Sequence, residues 1–213
     1  MTRYSAGALF VGIGGFCLGL KKYGIETVWA NDNDPDVQQT YTHNFPETTF
    51  LDNSINATTF NLDALEPVDI IHAGFPCQSF SQAGYRKGFD DPRGRLFLDM
   101  MDKITNMREQ KPKVLLFENS TYLRAGDKGR WFNEVALRIR RAGYLFSGAN
   151  AFPLSANIHA GSPQNRERLF MFAVRRDAFR FNPFTKCDHT LQKQNLADLL
   201  IRDQSVDESY FLD

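Results

Sequence analysis

Cysteine is scarce in this 213-residue sequence: Cys17, Cys77 and Cys187 are the only three, and no two stand at CxxC spacing. An odd number without that spacing argues against a disulfide framework and against a structural zinc. Long apolar runs are missing as well. Apolar runs such as VLLF at 114–117 fall far short of the roughly 18 residues a bilayer span requires, and no charged-then-apolar leader opens the chain. A soluble protein of a bacterial-type cytoplasm, without membrane contact, is the expectation. Net charge is absent too, but only as a sum. Residues 24–85 contain no Lys or Arg and nine Asp or Glu, whereas residues 1–23 carry +3 and residues 86–213 carry 22 basic against 16 acidic side chains. The first half therefore suits a cationic or hydroxyl-rich ligand, and the second half is able to neutralise phosphates.

What is present is enough apolar residue, 42%, to bury one core. Short β-rich runs fall at 8–11, 27–30, 69–73, 114–117, 144–148 and 169–174, and amphipathic segments at 34–44, 95–108 and 131–142 lie between them. That alternation predicts an α/β fold: a Rossmann-like, doubly wound sheet, mixed but mostly parallel, with helices on both faces. No repeat or low-complexity tract interrupts it. Residues 1–200 read as one catalytic domain and 201–213 as a tail. Ligands of such folds bind beyond the carboxyl ends of the strands, so the residues just after each strand are the candidates.

After the first strand comes FVGIGGFCLGL, 10–20, where Gly12, Gly14 and Gly15 allow a tight turn and close approach to a ligand. A dinucleotide fingerprint would need a third glycine at 17, which is Cys17. The second strand ends in WANDND, placing Asp32 where a carboxylate accepts from ribose hydroxyls. Asp34, before Pro35, reads better as a helix cap. GFPCQSF, 74–80, sets Cys77 in a Pro-anchored loop after a strand, flanked by Gln78, Ser79 and Ser81. A lone cysteine is usually an inert core thiol, but this position suits a nucleophile. Glu118 ends the strand VLLF at the same sheet edge, where apolar surroundings raise a carboxyl pKa. In QNRER, strand alternation would put Gln164, Arg166 and Arg168 on one side, a row of planar donors for a carbonyl or anion.

Taken in order, FVGIGG (10–15), Asp32, GFPCQSFS (74–81), GFDDPRGRLF (88–97), ENS (118–120) and QNRER (164–168) resemble the catalytic region of the DNA (cytosine-5)-methyltransferases over roughly residues 6–200. The resemblance implies S-adenosyl-L-methionine as cofactor, held by Phe10, Gly12, Gly14, Gly15, Asp32, Asn33, Asp52, Ser54, Ile55, Phe75, Pro76 and Leu96. It implies a double-stranded DNA substrate whose cytosine is flipped out of the stack, contacted by Pro76, Gln78, Ser81, Asn119 and Gln164. Cys77 would add to C6, Glu118 would serve N3 and the exocyclic amine, Arg168 would hold O2 and Arg166 would steady the cysteine loop. The loop 81–95 would close over DNA. A restriction-modification system and a nucleoid location follow from the same resemblance, and no metal is implied.

The sequence departs from the family in three places. Asp32 stands where Glu is usual, Ser54 stands in LDNSI where an acid normally meets the adenine amine, leaving Asp52 or Asn53 to substitute, and the target-recognition domain and closing helix are not found by residue 213. A second polypeptide carrying both, docked on exposed apolar surface at the sheet flank, is the expected remedy. Two other functions stay open from sequence: a non-catalytic or remnant cofactor-binding regulatory module, and a tRNA cytosine-5 methyltransferase. An NAD oxidoreductase accounts for neither Cys77 nor QNRER. Cys187 and His189 are two ligands only, too few for zinc.

Overall fold

Proline and glycine set most element boundaries of this chain. A computed structural model describes residues 4–80, 87–108, 110–186 and 188–199. Asp34 caps α2 (Pro35–Asn44), accepting from the Asp36 amide at 3.0 Å with Pro35 in the first helical position, as its sequence reading expects. The same device starts α3 (Pro92–Asn106): Asp91 accepts from the Arg93 amide at 2.9 Å ahead of Pro92. This helix was expected only from residue 95, because the apolar periodicity begins after the cap. Arg93 also grips the Asp91 carboxylate through Nε at 3.1 Å, which holds that acid well down, at about 2.

Eight strands make one sheet. Its order is β3 (Thr49–Leu51), β2 (Glu26–Asn31), β1 (Ser5–Leu9), β4 (Ile70–Ala73), β5 (Val114–Asn119), β8 (Glu167–Arg175), β6 (Tyr144–Leu145), with β7 (Ala151–Ser155) also on β8. Neighbours from β3 to β5 are parallel; β8 runs antiparallel to β5, β6 and β7. The mixed, doubly wound class expected from sequence is the one observed. Strand order reverses between β1 and β4, so the crevice beyond their carboxyl ends is where such a sheet receives ligands.

Several elements differ from expectation, each for a local reason. The first strand stops at Leu9 because Phe10 has φ of 52°, which no extended strand tolerates. The run 144–148 yields only two strand residues, since Ser147 and Asn150 form a capping box for a short 3₁₀ turn at Gly148–Asn150. Strand β7 hides Pro153, tolerated because its ladder lies on one side only. Helix α1 (Gly15–Lys21) follows Gly12 and Gly14 and itself contains Gly15 and Gly19, which mask its periodicity.

The two sheet faces are unequal. On one, α3 and α5 (Arg130–Arg141) bury Leu115, Phe117, Leu169, Met171 and Ala173 with Phe97, Met100, Val135 and Ile139. On the other, α1 and α2 cover β1 and β2 through a smaller cluster of Ala8, Val11, Cys17, Ala30, Tyr41 and Phe45. Past α1 that face is more thinly covered: Leu116, Glu118, Arg168, Phe170 and Phe172 alternate with the buried set and are only half-buried, Phe170 against Phe16 and Phe172 stacked between Phe152 and Phe184.

Candidate active site

The glycine turn is built from the residues that made it suspicious. Phe10, Gly12 and Gly14 have φ of 52°, 54° and 92°. A Cβ on Gly14 would stand 2.3 Å from the Phe45 ring, whereas Gly12 and Gly15 face open space. Backbone bonds from Val11 N to Asn31 O (3.1 Å) and from Gly14 N to Val11 O (3.2 Å) fix the turn against β2. Asp32 Oδ2 accepts from the Gly12 amide at 2.9 Å, and Oδ1 from the Asp34 amide at 3.3 Å. The shorter acid is thus already engaged by the turn it was expected only to neighbour. Asn33 and Asp52 are exposed nearby, Ser54 donates to Asn56 Oδ1 at 2.7 Å, and Ile55 is buried as the apolar floor.

Asn31 drew no attention as a candidate. It is buried, and its Nδ2 donates to the carbonyls of Leu51 (2.9 Å) and Asn53 (2.7 Å). The signal available in sequence was a polar residue in the otherwise apolar stretch TVWAN.

Beyond β4, Phe75 and Phe80 are both buried and meet edge to face at 6.2 Å. Between them Pro76 and Cys77 are half-buried, and the Phe80 amide donates to Cys77 O at 2.9 Å, closing a β-turn that presents the thiol. Gln78 is exposed on it. Ser81, and loop positions 82–86, lie outside the described residues. At Gly88 a Cβ would strike Trp131 at 2.2 Å, and Gly94 backs onto Gly88 O so closely that a Cβ would sit 2.0 Å away. Leu96 is half-buried and packs on the core beside Phe97.

Strands β4 and β5 pair Ala73 with Phe117, which sets Gly74 beside Glu118. Glu118 Oε2 lies 3.6 Å from where a Gly74 Cβ would be, an ordinary contact distance that places the carboxyl against the start of the cysteine loop. Arg168 Nε meets Glu118 Oε1 at 3.0 Å. Burial nevertheless pushes the Glu118 pKa up, outweighing the opposing pull of Arg168 and then Arg166. Three of the four residues expected to do chemistry, Glu118, Arg166 and Arg168, line one cavity of about 380 Å³ with His159 and Phe170.

Two expectations need correction. Asn119 cannot meet a substrate, being fully buried: Nδ2 donates to Phe75 O at 3.0 Å and Oδ1 accepts from the Ser120 amide at 2.8 Å. It ties the end of β5 to the cysteine turn instead. Gln164 does not share a side with Arg168, because β8 starts only at Glu167 and the Arg166 amide bonds back to Gln164 O at 3.1 Å, bending the chain. Gln164 borders a separate cleft with Lys193 and Asn195.

Contiguous with Glu118 and Phe170 is a larger cavity of about 600 Å³, lined by Phe10, Val11, Ile13, Gly74, the α1 residues Gly15, Phe16 and Leu20, and Tyr23 just past that helix. His72 lies at its floor, fully buried and pushed down to about 3 by desolvation, with Nε2 3.6 Å from Cys17 Sγ; Tyr41 O–H donates to that sulfur at 3.3 Å. Burial also raises the Cys17 thiol, so this second cysteine is the inert core kind. Among the described residues no group of three His, Cys, Asp or Glu is arranged to hold a metal, and no helix is long and apolar enough to cross a membrane.

The family model described as C-5 cytosine-specific DNA methylase matches residues 4–211. Type II methyltransferase M.NgoBI of Neisseria gonorrhoeae is 36% identical over 205 residues, covering 96% of this chain and 60% of that protein. Type II methyltransferase M.HhaI of Haemophilus parahaemolyticus is 36% identical over 209 residues, covering 93% and 57%. The chain thus spans somewhat over half the length of these relatives. Among solved structures, the Entamoeba histolytica methyltransferase EhMeth aligns with a TM-score of 0.74 at 19% identity over 100% of this chain and 64% of that one. Dnmt2 methyltransferase of S. pombe aligns with a TM-score of 0.65 at 20% identity over 96% and 61%. At those identities the structural likeness speaks for the fold.

Proposed function

Because this chain belongs to the C-5 cytosine-specific DNA methylases, we propose that it is the catalytic part of a DNA cytosine C5-methyltransferase working through a covalent bond to Cys77. The observation that supports the proposal is that the turn bearing half-buried Cys77 follows β4, that Glu118, its pKa raised by burial, ends the neighbouring parallel strand β5, and that Arg168 sits on that carboxyl. S-adenosyl-L-methionine, when bound, supplies an electrophilic methyl group. The cavity beside the glycine turn suits its apolar parts, with Phe10 and Ile13 in the lining, and Asp32, bonded to the Gly12 amide next to that lining, offers a carboxylate at the sheet edge.

In this reading the Cys77 thiolate forms a bond to C6 of cytosine, and the C5–C6 π pair moves to C5, which becomes nucleophilic. Glu118, its pKa raised by burial, holds a proton for N3 as charge builds there, and the Arg168 guanidinium holds O2. Once C5 carries the methyl group, a base takes the C5 proton, its bonding pair re-forms C5–C6, and the sulfur leaves as thiolate. A cytosine stacked in a duplex cannot reach this crevice, so the base is flipped into it. Since the two relatives named above are called Type II methyltransferases, we assign the chain to a restriction-modification setting.

A second polypeptide remains part of the proposal. Half-buried Leu116 and Phe170, the latter met only at its edge by Phe16, lie next to exposed Tyr23 and leave apolar surface on this sheet face among the described residues. A closing helix from that polypeptide, brought with a recognition domain, would dock there. The test is methyl transfer from labelled S-adenosyl-L-methionine with the product of the neighbouring reading frame added, offered duplex DNA or tRNA in parallel. Incorporation into duplex DNA that Cys77→Ser abolishes is expected. Incorporation into tRNA alone, or none although both chains associate and bind the cofactor, would overturn the reading.

A further inference from the structure

Asn31 and Asp32, the dipeptide at the end of β2, reach in opposite directions. Toward β1, Asn31 O accepts from the Val11 amide and Asp32 Oδ2 accepts from the Gly12 amide. Toward β3, both hydrogens of the Asn31 amide go to the carbonyls of Leu51 and Asn53, and the Asp32 amide donates to Leu51 O at 3.2 Å. The two loops so held, 10–15 and 51–55, are separated by a whole strand and share no other described bond between them. A buried amide with both protons satisfied has one stable orientation, so Asn31 cannot turn to any ligand. The glycine turn, in turn, keeps a left-handed Phe10 that its own sequence does not favour.

We infer that Asn31 and Asp32 are positioning residues, a brace that presets both rims of the nucleoside crevice before any ligand arrives and makes the two rims move as one. Asp32 spends one oxygen on the Gly12 amide, leaving ribose to share a carboxylate already committed to the turn. The inference rests on the cofactor reading above only for what the crevice binds; the brace itself belongs to the ligand-free chain.

Hydrogen exchange read by mass spectrometry on the ligand-free chain tests it, with peptides from 10–15 and 51–55 set against α5 as the reference for global unfolding. Asn31→Asp, which keeps the shape but turns donors into acceptors, should speed exchange in 51–55 by about tenfold or more with α5 unchanged. Asp32→Ala should do so in 10–15, while Asp32→Asn, which retains an acceptor for Gly12, should restore protection. Asn31→Ser, too short to span both carbonyls, serves if Asn31→Asp does not fold. In both failing variants S-adenosylhomocysteine, titrated by calorimetry, should bind about tenfold more weakly or worse. Unchanged exchange in 51–55 and 10–15, or acceleration only in step with α5, overturns the brace. A wild-type chain that shows the protected loops but takes no S-adenosylhomocysteine, even with its partner, overturns the cofactor reading and leaves the brace standing.

Discussion

Replacing Asn119 by alanine removes two hydrogen bonds from beneath the cysteine turn. Its amide donates to Phe75 O and its carbonyl accepts from the Ser120 amide, with the side chain wholly out of water. An orphaned buried group costs about 1–3 kcal/mol. The Phe75 carbonyl lies at the upper part of that range because Phe75 is itself buried, and Ser120, half-buried, at the lower. The sum is roughly 3 kcal/mol, which in a domain of this size lowers Tm by roughly 6–12 °C. Asn119→Asp should cost at least as much at neutral pH, since a carboxylate oxygen would face the Phe75 carbonyl, and should recover in acid as protonation restores a donor. Urea unfolding followed by far-UV circular dichroism measures the difference, and the rate at which Cys77 reacts with a maleimide reports whether its turn has loosened. A cost below about 1 kcal/mol for Asn119→Ala, with the Cys77 rate unchanged, would refute the claim that this side chain holds the Cys77 turn in place.

Two titrations carry opposite signs. Glu118 has its pKa raised by burial, so its contribution to stability is fully present below the ordinary glutamate value of 4.5 and is lost as pH climbs through the folded-state pKa; Glu118→Gln should therefore be the more stable protein at neutral pH, with the advantage vanishing toward pH 4.5, as urea midpoints across pH would display. His72, held at about 3 against an ordinary 6.5, contributes stability that is complete above 6.5 and falls as pH drops toward 3. Wild type should lose about 2 kcal/mol between pH 6.5 and pH 5 through this group, and His72→Gln should flatten that limb; an unchanged acid limb would remove His72 from the account.

Much of the architecture was legible because its signals are local. Asp34–Pro35 declared a helix start, the apolar runs around 70–73 and 114–117 declared buried parallel strands, and the positions after those strands contained Cys77 and Glu118. Where the reading slipped, the deciding atoms lie far apart in sequence. Asn119 looked like a ligand contact because it follows Glu118, but its partner is the Phe75 carbonyl, 44 residues earlier. Asn31 passed unnoticed because its two acceptors stand 20 and 22 residues downstream. Gln164 was misplaced by extending strand alternation into a bend. Asp32 stands at the sheet edge as expected, yet its bond to the Gly12 amide joins residues 20 apart, which no local pattern announces.

The central claim is a covalent bond between Cys77 and a cytosine ring, and mass spectrometry of a trapped complex tests it most directly. A duplex carrying 5-fluorocytosine at target positions, incubated with this chain, the proposed second polypeptide and S-adenosyl-L-methionine, blocks the final elimination, because fluorine at C5 cannot leave as a proton. The account predicts a cross-linked peptide containing Cys77 joined to the fluorinated, methylated base, absent in Cys77→Ser. Product methylated in the unfluorinated duplex without any Cys77 adduct in the fluorinated one, or an adduct mapped to Cys17, would contradict it.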